Sequence, residues 1–262
     1  MKELTKDLLK VKIYTTTEAM GLSAAEDVAQ RIMALLSEKP EINMIFAAAP
    51  SQSAFLSSLI KDKRIEWGRI NAFHMDEYIG IPRTQSQSFG NFLSRSIFSH
   101  VPFKSVNYID GVASDINAEC ERYSELLRKY PVDIVCLGIG ENGHIAFNDP
   151  GVADFNDPKL AKVVALDEVC RGQQVHEKCF PTLDDVPKEA ITLTVPALLR
   201  AEWMFCIVPF TNKAPAVKRM LEGEISEQCP ASILRKKENS CLYLNNDSAS
   251  LLTIAYESSS LL

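Results

Sequence analysis

Residues 132–151, VDIVCLGIGENGHIAFNDPG, join an apolar run to a glycine-rich loop, and the fold class depends on the element after that loop. The glycines match G-x-G-x-x-G, a pattern that holds a dinucleotide pyrophosphate when a strand precedes it and a helix comes after it. Here Pro150 comes seven residues after Gly143, so the crossover helix has no room. We therefore predict a buried strand that ends in a tight loop presenting His144, and no nucleotide cofactor.

Similar apolar runs recur along the chain and alternate with segments of helical periodicity. Because the runs are short and several are rich in β-branched residues, they are typical of strands buried on both faces. The alternation predicts an α/β fold with a mostly parallel sheet covered by helices, in a single domain spanning residues 1–262. The strand runs lie at 42–49, 70–75, 132–140, 190–195, 203–210 and 241–245, and the helical segments at 23–36, 116–127 and 213–221.

Short-range signals predict where the helices begin and end. Ser23 and Glu26 have the spacing of a capping box and predict the start of the first helix. Asp115 precedes the second helix and is suited to cap it, and Gly223 predicts the end of the third. Residues 151–190 are less regular, and the sequence predicts little about their structure.

Composition excludes several classes of partner. The formal net charge of -6 gives no basic surface for nucleic acid or anionic membrane, and no apolar run reaches the roughly 20 residues that span a bilayer. The amino-terminal residues do not resemble a signal peptide, and the seven cysteines contain no C-x-x-C pair, which favours the cytoplasm. The four histidines are scattered, so no metal site is predicted.

The loop around His144 is dense in polar groups and has two interpretations. A histidine with carboxylates and amides nearby can be oriented to exchange protons near neutral pH. The alternative is a structural histidine whose hydrogen bonds are satisfied within a polar loop. The position at the carboxyl end of a strand, where ligands of such sheets bind, favours the first interpretation. The polar neighbours are Glu141, Asn142, Asn148 and Asp149.

A second polar cluster comes after the strand at 70–75, in the sequence FHMDEYIGIP at 73–82. Successive side chains of an extended chain point in opposite directions, so Asp76 and Glu77 cannot both enter one cleft. We expect one to enter the cleft and the other to be solvated or to anchor structure. Burial would raise the pKa of a carboxylate there and suit it to abstract a proton next to a carbonyl. A solvated turn acid is the alternative.

Together, HMDEYIG at 74–80 and GENGHIAFNDPG at 140–151 resemble the signature segments of the glucosamine-6-phosphate deaminase (isomerase) family. The resemblance extends from about residue 40 to past residue 240. The related 6-phosphogluconolactonases share the fold and a G-H-T-A loop, but lack the D-E-Y and I-A-F-N present here. Further matching stretches are SFGNFL at 88–93, DDVPKEAITLTV at 184–195, FTNKAPAV at 210–217 and CPASIL at 229–234.

The resemblance implies a Rossmann-like, three-layer α/β/α sandwich and a cofactor-free reaction. That reaction converts a 2-amino-2-deoxyhexose 6-phosphate and water into a ketohexose 6-phosphate and ammonia. By the same resemblance, Asp76 is the base that moves a proton between C2 and C1, and His144 protonates the ring oxygen. Asn142 and Asp149 orient the histidine, and Lys213 binds the phosphate.

Three departures from the family pattern concern the phosphate grip and the histidine. APSQSAF at 49–55 replaces a glycine-rich phosphate loop; Ser51 and Ser53 could donate hydroxyls to phosphate, or the segment could be a plain helix cap. Lys178 occupies the place of a phosphate-binding arginine and loses the bidentate fork. Asp149 occupies the place of a glutamate and is one methylene shorter.

These observations leave three functions open. The leading one is deamination and isomerisation of glucosamine 6-phosphate or an epimer such as galactosamine 6-phosphate. A 6-phosphogluconolactonase-like enzyme would use His144 to activate water and would not depend on Asp76. A non-catalytic sugar-phosphate-binding protein would have no need to keep both residues. Each takes a small sugar phosphate as partner, and a homo-oligomer is compatible with all three.

Overall fold

The computed structural model describes residues 1–253, in which an eight-stranded sheet forms the centre. Every neighbouring pair of strands in this sheet is parallel, except for the antiparallel hairpin of β1 and β2 at one edge. In spatial order the strands are β1 (Lys2–Lys6), β2 (Leu9–Tyr14), β11 (Ser240–Asn245), β10 (Trp203–Val208), β7 (Ile134–Leu137), β3 (Ile42–Phe46), β4 (Ile70–His74) and β6 (Ser105–Asn107).

Helices cover this sheet on both faces. They are α1 (Thr17–Glu38), α2 (Ser53–Leu59), α3 (Phe89–Leu93), α4 (Ile116–Lys129), α5 (Glu168–His176), α6 (Val195–Leu199) and α7 (Ala214–Glu222). No helix within residues 1–253 is both long enough and apolar enough to cross a membrane.

The central strands are buried throughout because successive side chains enter different cores. Within β3, Ile45 belongs to one hydrophobic cluster, whereas Met44 and Phe46 belong to another. The first cluster also holds Tyr123 of α4 and Val217 of α7, while the second holds buried residues of α1 and α2. Two cores on opposite faces of one sheet confirm the α/β/α sandwich predicted from the sequence.

A smaller, antiparallel sheet corrects one of the strand predictions. The sequence places the run at 190–195 in the parallel sheet, but β9 (Glu189–Leu193) lies between β5 (Asp76–Tyr78) and β8 (Ala161–Ala165). Its apolar side chains are buried nonetheless, partly against a third cluster that contains Tyr78 and Phe147. The prediction is wrong because a buried run does not reveal which sheet contains it.

The first helix begins earlier than the capping box predicts. Thr16 is the N-cap and accepts a hydrogen bond from the Ala19 amide at 3.2 Å, whereas Ser23 lies within α1 and hydrogen-bonds the Tyr14 hydroxyl. The Asp115 cap is confirmed by a hydrogen bond from the Ala118 amide at 3.0 Å. Gly223 ends α7 as predicted, while Lys213 belongs to the 3₁₀ turn before it.

Gly21 lies inside α1, where that helix packs closely on α2. A methyl group at this position would come within 2.8 Å of the Ala54 backbone carbonyl carbon and 2.9 Å of the Phe55 nitrogen. Backbone atoms cannot rotate away as a side chain would, so the two helices would have to separate.

We expect Gly21→Ala to lower the free energy of unfolding by about 1–3 kcal/mol, measured by urea denaturation, because overpacking outweighs the better helix propensity of alanine. Gly68→Ala is the matched control, because the nearest atom to its added methyl group is the Pro102 oxygen at 3.9 Å. Equal stability of the two variants would show that the helix contact tolerates the extra carbon.

Candidate active site

The loops after β3, β4, β7 and β10 surround a cavity of about 290 Å³ at the carboxyl edge of the parallel sheet. Parallel strands bring these loops together although they are far apart in the sequence. Five residues proposed from the sequence line the cavity: Ser51, Asp76, His144, Lys178 and Lys213.

The other proposed residues lie outside the cavity wall. Asp149 is fully buried and Asn142 is half-buried, and both contact each other close to His144. Ser53 is exposed on the first turn of α2 and is not among the lining residues. Contact between Ser53 and a phosphate remains a prediction from the sequence alone.

The glycines at 138–143 form a close backbone turn around the histidine, with no helix between residues 141 and 160. A methyl group on Gly140 would lie 2.1 Å from Cε1 of His144, inside the imidazole ring's own space. Gly143 has a φ of +93°, which L side chains rarely adopt, and a methyl group there would meet the Cys229 sulfur at 2.8 Å. The pattern therefore serves to seat an imidazole and offers no helix terminus to a pyrophosphate.

A buried carboxylate orients His144. Nδ1 of His144 lies 2.8 Å from Oδ1 of Asp149, and the Asn142 amide donates to the same oxygen at 2.9 Å. Asn142 also accepts a hydrogen bond from the His144 backbone nitrogen at 3.0 Å. Burial favours a raised pKa for Asp149, but the contacts with His144 and Asn142 outweigh it and lower the pKa. Asp149 is therefore a stable anion behind the imidazole, and Nε2 of His144 is the ring nitrogen left to contact a ligand in the cavity.

Two further side chains, those of Cys170 and Asp167, lie next to this group. Cys170 lies on α5 beside Asp149, and burial raises the pKa of its thiol well above the ordinary value. Asp167, the N-cap of α5, lies 3.4 Å from the Asn142 amide. One group of side chains within residues 1–253 could hold a metal ion together: the donor atoms of His144, Asp149 and Cys170 lie within 4.8 Å of one another. Histidine spacing alone gives no sign of it.

The two adjacent acids have separate environments, as the alternation rule predicts. Asp76 lines the cavity, whereas the Glu77 carboxylate is turned into the fold. Glu77 accepts hydrogen bonds from the Ser88 hydroxyl at 2.7 Å and the Gly90 amide at 2.8 Å, and from two further backbone amides. Glu77 therefore anchors the turn that begins α3.

Asp76 has no such support. No side chain within residues 1–253 donates a hydrogen bond to its carboxylate, and the residue is only 6% exposed. Burial, with a smaller contribution from the nearby charge of Glu77, raises the pKa of Asp76 well above its ordinary value. A carboxylate with these properties binds a proton more strongly than a solvated one.

His74 positions the backbone of Asp76 from behind. Its Nδ1 lies 2.9 Å from the Asp76 carbonyl oxygen, and its Nε2 accepts a hydrogen bond from the Ile109 amide at 2.9 Å. Burial lowers the pKa of His74 to about 4, so the ring is neutral at physiological pH. The residue stands inside the quoted motif, but sequence alone does not separate it from core positions.

Three cationic side chains line the same cavity. The Lys213 side chain is 2% exposed, and its Nζ lies 3.2 Å from Oε1 of Glu177. Lys178 has a φ of +59°, an unusual conformation for a residue with a side chain, at the turn that ends α5. Arg95 also lines the cavity, from a π-helical turn at Ser94–Phe98. Neither Glu177 nor Arg95 is singled out by the sequence analysis.

Comparison with known proteins gives the same family as the motifs. Residues 15–243 match the family model described as glucosamine-6-phosphate isomerases/6-phosphogluconolactonase. The chain belongs to this family.

Within it, curated glucosamine-6-phosphate deaminases from Bacillus cereus strain B4264 and Bacillus thuringiensis strain Al Hakam are 32% identical over 249 residues, covering 95% of this chain and 90% of theirs.

Solved structures agree on the fold. A monomeric glucosamine-6-phosphate deaminase superposes with a TM-score of 0.83 at 31% identity, covering 92% of this chain and 99% of its own. The 6-phosphogluconolactonase from Thermotoga maritima superposes with a TM-score of 0.71 at 22% identity, covering 90% of this chain and 99% of its own. At that identity the likeness concerns the fold alone.

Asp76→Asn is expected to stabilise the fold at neutral pH by about 1 kcal/mol or more, because each pKa unit corresponds to about 1.4 kcal/mol. A raised carboxyl pKa means that folding disfavours the ionised form. The wild-type protein therefore loses stability relative to the variant as pH rises from the ordinary pKa through the raised one. Urea unfolding at about pH 3.5 and about pH 7.5, on either side of the ordinary carboxyl pKa, measures the difference.

The control for this comparison is Asp184→Asn, which changes an exposed aspartate in the 3₁₀ turn Leu183–Asp185. We expect that variant to behave as the wild type does at both pH values. A stability gain for Asp76→Asn that is the same in acid and at neutral pH would contradict the pKa shift.

Proposed function

We propose that this chain deaminates and isomerises a 2-amino-2-deoxyhexose 6-phosphate, yielding a ketohexose 6-phosphate and ammonia. The substrate is glucosamine 6-phosphate or an epimer such as galactosamine 6-phosphate. The observation that carries the proposal is a single cavity lined by Asp76, by His144 and by Lys213. The curated relatives named as deaminases, with which this chain shares 32% identity, support the same reaction.

Ring opening is the step assigned to His144. The bond between C1 and the ring oxygen breaks, the ring oxygen gains a proton, and the C1 hydroxyl releases one, leaving an open-chain aldehyde. Because Nδ1 is held by Asp149 at 2.8 Å, Nε2 is the nitrogen that can carry the proton to the substrate. The buried carboxylate behind the ring fixes the orientation in which the imidazole meets the substrate.

Proton transfer between carbons is the step assigned to Asp76. The carboxylate removes the proton on C2, next to the aldehyde, and the aldehyde oxygen regains the proton that the C1 hydroxyl released on ring opening, so an enolamine forms. The same carboxyl group returns its proton to C1, which leaves an iminium at C2; water then adds to C2, the C2–N bond breaks, and the ketone and ammonia result. Burial makes Asp76 a stronger base than a solvated aspartate, and the absence of hydrogen-bond donors within residues 1–253 leaves both its oxygens free for the substrate.

Phosphate recognition is assigned to Lys213, Lys178 and Ser51, which share the cavity with the two proton-transfer groups. The Ser51 hydroxyl accepts a hydrogen bond from the Gln52 amide at 3.2 Å, and Gln52 also donates to the Ile207 carbonyl at 3.1 Å. This ties the segment after β3 to β10. Ser51 is thus held by side-chain contacts in a segment that has no glycine.

Ammonia release from glucosamine 6-phosphate and from galactosamine 6-phosphate, measured side by side in a coupled assay, tests the proposal. We expect release from at least one of them. Asp76→Asn and His144→Gln should each lower kcat by at least about 100-fold, since general acid–base groups contribute about 10²–10⁴-fold. Retained binding of the sugar phosphate by Asp76→Asn would separate lost chemistry from lost folding.

The other outcomes identify the alternatives. Acid release from a 6-phosphogluconolactone, unaffected by Asp76→Asn, would replace the proposal with a lactone hydrolase. Binding of sugar phosphates without any turnover would replace it with a non-catalytic binding protein.

A second prediction concerns the seat of the imidazole. Gly140→Ala places a methyl group on the His144 ring, so we expect ammonia release to fall by at least about tenfold as the ring is displaced from its productive position. Gly172→Ala is the matched control, because its methyl group would meet no atom within 4 Å. Equal activity of the two variants would show that the ring position is not set by Gly140.

A further inference from the structure

Glu177 places a carboxylate where the proposed function needs an anion-binding site. Its Oε1 lies 3.2 Å from Nζ of Lys213, and both residues line the cavity. Lys213 has no other charged partner within residues 1–253, and its side chain is 2% exposed. A buried ammonium requires a nearby negative charge, and Glu177 supplies it.

The carboxylate is held in this position on a second side. The Gln173 amide, one helical turn earlier, donates to the same Oε1 at 2.8 Å. Gln173 is itself fixed by the loop after β7, because its side-chain oxygen accepts a hydrogen bond from the Glu141 backbone nitrogen at 2.9 Å. Glu177 also terminates α5, where its backbone amide donates to the Gln173 carbonyl at 2.8 Å. The Glu177 carboxylate is therefore positioned by the fold and does not rest on Lys213 alone.

A phosphate dianion cannot share Lys213 with this carboxylate at close range, because like charges at such distances repel strongly in a partly buried site. The other two cations of the cavity, Lys178 and Arg95, form no ion pair with any carboxylate in the described part of the chain. Their charges are available to the ligand at once, whereas that of Lys213 is already neutralised.

We propose that Glu177 is an internal competitor for the sugar phosphate: its carboxylate occupies the phosphate position on Lys213 and must leave before the phosphate binds there. The inference rests on the proposed function, because it takes Lys213 as a phosphate-binding residue. It makes Glu177 a residue that lowers the affinity of the cavity for every phosphorylated ligand. The chemistry at Asp76 and His144 is not affected by it.

Isothermal titration calorimetry with inorganic phosphate tests the inference without requiring turnover. Removing the competing charge in Glu177→Gln should tighten phosphate binding by at least about tenfold, equivalent to about 1.4 kcal/mol. Glu168→Gln is the matched control, since it removes one charge from the exposed first turn of the same helix, and its phosphate affinity should equal that of the wild type. Unchanged or weaker phosphate binding by Glu177→Gln overturns the inference.

If Glu177→Gln does not fold, a second variant provides the test. Glu177→Asp keeps the charge but draws it back by one methylene, so its phosphate affinity should lie between those of the wild type and the tighter-binding variant. An affinity equal to or weaker than the wild type overturns the inference.

Kinetics with the active amino sugar phosphate separate binding from chemistry. Glu177→Gln should lower KM several-fold and leave kcat within about twofold, because the interaction is lost from ground state and transition state alike. A fall in kcat with unchanged KM would show instead that Glu177 acts on the reacting atoms. If no amino sugar phosphate is turned over, the proposed function fails, while the phosphate titration still decides the role of Glu177.

Discussion

A fully buried carboxylate, that of Asp149, is the constraint on which the arrangement of the site depends. An anion without solvent needs polar groups around it: Nδ1 of His144 lies 2.8 Å from one of its oxygens, and the Asn142 amide donates to that oxygen at 2.9 Å. To bring the His144 and Asn142 nitrogens to the same Asp149 oxygen, the chain has to turn back within a few residues. Gly140 leaves room for the imidazole ring and Gly143 supplies the positive φ. The glycine pattern thus makes room for the contact between the buried carboxylate and the imidazole.

The supply of hydrogen-bond donors also distinguishes Asp76 from Glu77. Both acids are buried and burial raises the pKa of both, yet Glu77 receives four hydrogen bonds whereas Asp76 receives none from residues 1–253. A carboxylate with satisfied oxygens is suited to hold a turn in place. One with unsatisfied oxygens costs folding free energy and is suited to exchange protons, which is the usual compromise between stability and activity at a functional site.

The cationic residues of the cavity depart further from the family pattern than Asp76 and His144 do. Asp76 and His144 retain the residue types of the family motifs, while the segment at 49–55 lacks glycine and a lysine occupies the place of an arginine. The structure adds Glu177 on Lys213 and Arg95 on a π-helical turn. Under the proposed function, proton transfer between two carbons requires close geometry, whereas an anion can be bound by several combinations of cations.

The sequence by itself determined the layered fold, the strand before the histidine loop, the caps at Asp115 and Gly223, and the pairing of Asp76 with His144 as leading residues. These follow from local periodicity and from the rule that parallel strands end at one edge. Tertiary structure decided the rest. Strand 189–193 joined a second sheet, and α1 begins at the Thr16 cap, ahead of the Ser23 start that the sequence predicts. Contacts between different segments of the chain positioned Cys170, His74 and Glu177. Spacing along a chain carries no information about such contacts, because they depend on how whole layers pack.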